Sequence, residues 1–93
     1  MLKVFAVCGM GLGTSVILKS RLKEALNAQG VDYNLDITDA SAANGQDADL
    51  IFTSDELAPK IRNKKAKIVI INNFTDRSEI RQKAEQAVAE LEG

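Results

Sequence analysis

Cys8-Gly9-Met10-Gly11-Leu12-Gly13-Thr14-Ser15 is the segment around which this chain is organised. It follows an apolar run, Val4–Val7, and precedes a stretch with helical apolar spacing, so it is predicted to form a strand-to-helix turn. The segment contains three of the six glycines and the only cysteine. Glycines at alternate positions allow positive φ angles and let backbone N–H groups face inward.

Such a turn predicts an anion-binding site. The helix, expected to begin near Ser15, adds unpaired N–H groups and the positive end of its dipole. Phosphate is a typical ligand of this arrangement, and Cys8 would place a thiol nucleophile at its rim. The sequence therefore predicts that Cys8 is a phosphoryl acceptor. The predicted phosphate-binding residues are Gly9, Met10, Gly11, Leu12, Gly13, Thr14 and Ser15.

The composition of the chain argues against several classes of function. The 93 residues are expected to form one domain, 1–93, and a net charge of −1 with four aromatic residues argues against nucleic-acid binding. A single cysteine cannot form an internal disulfide, and without histidine the chain has no Cys/His zinc cluster and no Ser-His-Asp triad of its own. No metal or cofactor is expected, because backbone N–H groups of the glycine segment would supply the charge stabilisation. We expect a cytoplasmic protein with no membrane insertion, since no signal peptide or long apolar run is present.

Four strands are predicted from apolar runs. They are Lys3–Val7, Tyr33–Thr38, Leu50–Thr53 and Ile68–Ile71, the second an edge strand because of its charges. A helix from near Ser15 should end at Gly30, with Leu18, Leu22, Ala25 and Leu26 inward. Residues 39–49 should hold a short helix at most, and Ser54-Asp55-Glu56 should cap a short helix reaching about Ile61.

The final helix has the clearest amphipathic pattern in the chain. Thr75 or Asp76 is expected to cap it, Asp76 and Glu79 have capping-box spacing, and its apolar stripe is Ile80, Ala84, Ala87, Val88 and Leu91. Strand–helix alternation then predicts an α/β fold, a doubly wound four-stranded parallel sheet of order 2-1-3-4 with helices on both faces. The ligand crevice of such a sheet lies at its switch point, where the glycine segment and Thr53-Ser54-Asp55 meet.

Known phosphate loops match the segment to different degrees. Thr14 stands where a dinucleotide loop needs its third glycine and where a Walker loop needs lysine. The cysteine phosphatase loop, Cys-x5-Arg-Ser/Thr, fits in frame, but Thr14 replaces the arginine that clamps the transferring phosphoryl group. The thiol would still be acidified at a helix N-terminus, so phosphoryl acceptance is favoured over hydrolysis.

The segment Val7–Ser15 resembles the active loop of IIB components of the bacterial phosphoenolpyruvate-dependent sugar phosphotransferase system, and most resembles the ascorbate-type branch. The likeness continues in Ala48–Ser54 and Ile71–Phe74, while Thr14 stands where ascorbate-type loops more often have Ser. The resemblance implies a phosphocysteine phosphotransferase that relays a phosphoryl group during sugar uptake. A IIA phosphohistidine would donate it to Cys8, and a sugar bound by a membrane IIC partner, ascorbate or a related sugar or polyol, would accept it.

Two other function classes remain open at this point. One is a small cysteine-based phosphatase or arsenate reductase, which the missing arginine disfavours. The other is a non-catalytic regulatory module that only binds phosphate.

Overall fold

Strands and helices alternate along the chain in the computed structural model, which describes residues 2–7, 12–45, 47–63, 65–73 and 76–92. For residues 12–15, 40 and 92 the description covers the backbone alone. The strands are β1 (Leu2–Val7), β2 (Tyr33–Thr38), β3 (Leu50–Thr53) and β4 (Lys67–Ile70). The helices are α1 (Leu12–Ala28), α2 (Ala40–Asn44) and α3 (Arg77–Glu92), with a 3-10 turn at Ala58–Lys60.

The four strands form one parallel sheet in the order β2-β1-β3-β4. This confirms the predicted topology, including the edge position of β2. Three strand boundaries differ by one residue from the prediction, because β1 begins at Leu2 and β4 both begins and ends one residue earlier, at Lys67–Ile70. Since β1 lies between β2 and β3, the chain reverses direction there, and the switch point lies beyond the end of β1.

Helices cover both faces of the sheet, as predicted. On one face α1 and α3 pack against β1 and β3, and Leu18, Leu22 and Leu26 are completely buried. On the other face α2 and the segment after β3 enclose a smaller core, formed by Val7, Ala43, Ala48, Ile51, Ile61 and Ala66. Both faces of β3 are therefore buried, which accounts for its continuous apolar sequence.

The structure confirms the predicted end of α1 and the predicted short helix α2, whereas the helix predicted after β3 is shorter than expected. Gly30 has φ +70°, a left-handed conformation that ends α1 as predicted. Asp39 caps α2, since its carboxylate accepts a hydrogen bond from Ala42 N at 2.7 Å. The predicted short helix after β3 is only a 3-10 turn, and the Ser54 carbonyl, rather than its side chain, accepts from Leu57 N and Ala58 N.

Two further expectations are corrected. The helix α1 begins at Leu12, three residues before the predicted start, so Gly13 lies in a helical turn and the expected positive φ does not apply to it. Leu91, the last member of the predicted α3 stripe, is 40% exposed, whereas Ile80, Ala84, Ala87 and Val88 are buried. Leu91 belongs to neither apolar core of the described residues, whereas the four buried members of the stripe pack in the core between the sheet and the two long helices.

Candidate functional site at the carboxyl edge of the sheet

The last residues of the four strands lie side by side at the carboxyl edge of the sheet. Register pairing places Thr38, Val7, Thr53 and Ile70 side by side, in that order, at the carboxyl ends of β2, β1, β3 and β4. We call this the end row. Because all four strands are parallel, the segments that follow them leave from this same edge. Cys8 follows Val7 in the sequence, so the predicted site begins at the end row, next to the switch point.

The predicted phosphate-binding residues fall into two parts. Cys8, Gly9, Met10 and Gly11 lie outside the residues that the structure describes. Leu12, Gly13, Thr14 and Ser15 form the first turn of α1. The first four N–H groups of a helix have no partner within it, and the helix dipole adds positive potential there. The backbone of these four residues is therefore suited to binding an anion.

Thr53 is the buried polar member of the end row. Its side chain is 0% exposed, and Oγ1 has no hydrogen-bond partner among the described residues. An unpaired buried hydroxyl costs about 1–3 kcal/mol relative to a paired one. The sequence placed Thr53 near the crevice as a strand end, but it gave no sign that the hydroxyl lacks a partner. That depends on what surrounds it in three dimensions.

Glu79 fixes the main chain just beyond β4. Its two carboxylate oxygens accept hydrogen bonds from the backbone N–H groups of Asn72 and Asn73, each at 2.9 Å. Lys83 donates to the same carboxylate at 2.7 Å and also to the Ile70 carbonyl, at the end of β4. Burial of the Glu79 carboxylate raises its pKa, but these hydrogen bonds and the Lys83 charge outweigh burial and lower the pKa to about 2.

This arrangement corrects half of the predicted capping box. Asp76 caps α3 as expected, since its Oδ1 accepts from Ser78 N at 3.0 Å and from Glu79 N at 3.2 Å. The Asp76 N–H donates to the Asn73 carbonyl at 3.1 Å instead of to Glu79. The Glu79 side chain is therefore free of that role and binds the loop. The Asp-x-x-Glu spacing correctly predicted the start of a helix. It also predicted a hydrogen bond from the Asp76 N–H to Glu79, which the structure does not have.

Large apolar side chains are exposed at the same edge. Val16 and Ile17, next to the first turn of α1, are 61% and 41% exposed. Ile37 and Ile70 are also exposed, at the carboxyl ends of β2 and β4. Ile37 and Ile70 lie on the two opposite edge strands, so the exposed pair that can form one apolar contact is Val16 and Ile17, which are adjacent in the sequence. The helical pattern assigned the inward stripe of α1 correctly but did not single out these outward residues.

The described residues form neither a metal-binding cluster nor a membrane-spanning helix. Among them, no three His, Cys, Asp or Glu side chains are grouped so as to hold a metal ion. Within the same part of the chain, none of the helices combines the length and the apolar character required to cross a bilayer.

The sequence of this chain is similar to a protein-family model and to a known protein. The family model described as "PTS system, Lactose/Cellobiose specific IIB subunit" matches residues 3–86. The ascorbate-specific PTS system EIIB component of Mycoplasma pneumoniae is 32% identical over 84 residues, covering 87% of this chain and 88% of that protein.

A solved structure has the same fold. It is the lactose-specific IIB domain of the phosphoenolpyruvate:carbohydrate phosphotransferase system (PTS) from Streptococcus pneumoniae, with a TM-score of 0.58 and 20% identity. The alignment covers 97% of this chain and 93% of that one. IIB components are phosphotransferases that work with IIA and IIC partners. With the family model matching residues 3–86, this chain belongs to the IIB subunit family of the sugar phosphotransferase system.

Proposed function

We propose that this chain is a phosphoryl carrier whose acceptor is the thiol of Cys8. The observation that carries the proposal is the start of α1 at Leu12, four residues after Cys8 and directly beyond the switch point of the sheet. The free N–H groups of that first turn provide positive potential close to the thiol in the sequence. A thiol near a helix N-terminus has a lowered pKa and a larger thiolate fraction.

The proposed first transfer takes place between a IIA phosphohistidine and Cys8. The thiolate sulfur attacks phosphorus, an S–P bond forms, the P–N bond breaks, and the electron pair stays on the imidazole nitrogen of the IIA partner. Backbone N–H groups of residues 9–15 stabilise the charge on the phosphoryl oxygens, and the hydroxyls of Thr14 and Ser15 add hydrogen bonds. A loop without arginine holds the phosphocysteine without promoting its hydrolysis.

The proposed second transfer delivers the phosphoryl group to a sugar bound by a membrane IIC partner. A sugar oxygen attacks phosphorus, the S–P bond breaks, and the thiolate of Cys8 is restored while the hydroxyl proton passes to a base at the sugar site. Ascorbate or a related sugar is the proposed acceptor, supported by the relative named ascorbate-specific. We place residues 1–93 in one IIB-like domain acting on the cytoplasmic side.

Both partners must reach the same thiol, so we propose one docking face at the carboxyl edge. We propose that Met10 and Leu12 border this face; Met10 and the side chain of Leu12 lie outside the described part of the chain. The exposure of Val16 and Ile17 supports an apolar contact beside the first turn of α1. An apolar contact would exclude water during transfer and protect the phosphoryl group from hydrolysis.

The test is phosphorylation from phosphoenolpyruvate through the upstream phosphotransferase proteins. Intact-mass measurement of this chain should show one added phosphoryl group, and Cys8→Ser should show none. Release of phosphate from a small aryl phosphate would instead favour a phosphatase. Absence of any phosphorylation would favour a regulatory module that only binds phosphate.

A further inference from the structure

One side of β4 has no neighbouring strand among the described residues, because β4 is the last strand of the sheet. On the other side, the N–H groups of Lys67 and Ile71 donate to main-chain carbonyls in and next to β3. Alternate residues of a parallel strand turn their N–H and C=O groups to the same side, so those of Ile68 and Ile70 point away from β3. An open edge of this kind can pair with a strand of another chain.

Lys83 binds the last acceptor on that open edge. Its ammonium group reaches from α3 and donates a hydrogen bond to the Ile70 carbonyl. The Glu79 carboxylate holds the same ammonium group, with Nζ and Oε2 2.7 Å apart. A strand arriving at this edge would therefore have to displace a charged donor from the carbonyl that it needs as an acceptor.

The rest of the edge is accessible. The N–H and C=O of Ile68 and the N–H of Ile70 have no hydrogen-bond partner in the described part of the chain. The Ile70 side chain is exposed, and a groove with a volume of about 250 Å³ lies between β4 and α3. Lys83 is thus the described side chain that binds the main chain of this edge.

We propose that Lys83 prevents β4 from pairing with β4 of a second copy of this chain. Two identical edges pair in an antiparallel arrangement about a two-fold axis, in which each copy presents the same groups to the other. Without the Lys83 ammonium group, the Ile70 carbonyl joins the three unpaired groups as a partner for such a strand. The role is separate from the proposed function and requires neither Cys8 nor another protein.

The test is sedimentation velocity over a range of protein concentrations, with a thiol reductant present because the chain has one cysteine. Lys83→Met removes the ammonium group and keeps an unbranched apolar side chain over the groove. Its apparent mass should approach twice that of a single chain as the concentration rises, while the wild-type chain should show no such rise. Lys83→Ala provides the same comparison if the methionine variant does not fold.

Two control variants separate the edge from other effects. Lys67→Met removes the other lysine that pairs with a glutamate of α3, but the Lys67 ammonium group binds Glu90 and no main-chain group among the described residues. Glu79→Gln weakens the same cluster and leaves the Lys83 ammonium group present to bind the Ile70 carbonyl. Both variants should sediment as the wild type does.

Hydrogen exchange locates the contact. The amides of Ile68 and Ile70 should become protected in Lys83→Met at high concentration and stay unprotected in the wild type. Adding Ile70→Lys to Lys83→Met places a charge on the exposed edge and should restore the single chain.

Three results would overturn the inference. One is a Lys83→Met chain, and a Lys83→Ala chain, that sediment as the wild type does. Another is association of Glu79→Gln to the same extent, which would trace the effect to lost stability. The third is association that leaves the Ile68 and Ile70 amides unprotected, or a wild-type chain in which association already protects them.

Discussion

Glu79 accepts a hydrogen bond from Asn72 N at 2.9 Å, and this contact ties the first turn of α3 to the end of β4. The second carboxylate oxygen binds Asn73 N in the same way. One side chain therefore satisfies two backbone N–H groups at the edge where the proposed site lies. Lys83, one turn further along α3, completes the group by binding both the carboxylate and the Ile70 carbonyl.

The first prediction concerns this loop. Glu79→Gln removes the negative charge to which Lys83 and the N–H groups of Asn72 and Asn73 donate their hydrogen bonds. The substitution should lower the free energy of unfolding by about 1–2 kcal/mol at neutral pH. The value stays below the full effect of the pKa shift because water reaches part of the carboxylate. Urea denaturation measures it. The control is Glu85→Gln, an exposed carboxylate on α3 with no hydrogen bond or ion pair to the rest of the described chain.

The same contact predicts a pH dependence with a definite sign. The pKa of Glu79 falls from an ordinary value of 4.5 to about 2 in the folded protein. Its contribution is therefore complete above about pH 4.5 and is lost as the pH falls toward 2. The stability difference between wild type and Glu79→Gln should shrink over that interval. A difference that stays constant would show that the charge is not its source.

The second prediction uses two glycines as a matched pair. Gly30 has φ +70° with open space where a Cβ would lie, so Gly30→Ala should cost about 1 kcal/mol through backbone conformation alone. Gly45 has φ −98°, and a Cβ there would meet the Ala42 carbonyl oxygen at an ordinary 3.8 Å. Gly45→Ala should therefore be neutral or slightly stabilising. Thermal unfolding of the two variants checks this, and equal losses would contradict it.

The third prediction tests the docking face. Ile17→Ser should slow phosphoryl transfer from a phosphorylated IIA protein several-fold at low IIA concentration, and should change stability little, since Ile17 is 41% exposed. The control is Leu91→Ser, with 40% exposure. An ion pair between Lys67, the first residue of β4, and Glu90 places that part of α3 at the opposite edge of the sheet.

Amide-shift mapping of the IIA partner provides an independent check of the docking face. Shifts should appear in residues 9–17 and at the ends of β2 and β4. Shifts confined to α3, with residues 9–16 unchanged, would contradict the prediction, and so would equal transfer rates in the Ile17→Ser and Leu91→Ser variants.

Much of the fold could be predicted from the sequence, because the strands and helices are determined largely by the pattern of neighbouring residue types. The continuous apolar run Leu50–Thr53 indicates a strand buried on both faces, and it has those bounds in the structure. The charged alternation of Tyr33–Thr38 indicates an edge strand, which β2 is. The stripe of α1 and the glycine at its end follow in the same way from spacing and backbone freedom.

What the sequence did not predict depends on contacts between distant residues. Glu79 has the spacing of a capping box, but its partners are the N–H groups of Asn72 and Asn73, because the Asp76 N–H already has the Asn73 carbonyl. The burial of Thr53 without a hydrogen-bond partner among the described residues depends on how β3 packs between β1 and β4. Neither arrangement has a signature in the order of residue types.

The most direct test of the central claim is intact-mass analysis after incubation with phosphoenolpyruvate and the upstream phosphotransferase proteins, including IIA. The account predicts that the wild-type chain gains one phosphoryl group and that Cys8→Ser gains none while its circular dichroism spectrum and unfolding midpoint remain near those of the wild type. Blocking the single thiol with iodoacetamide before incubation should have the same effect. Undiminished phosphorylation of a folded Cys8→Ser variant would contradict the claim that Cys8 is the phosphoryl acceptor.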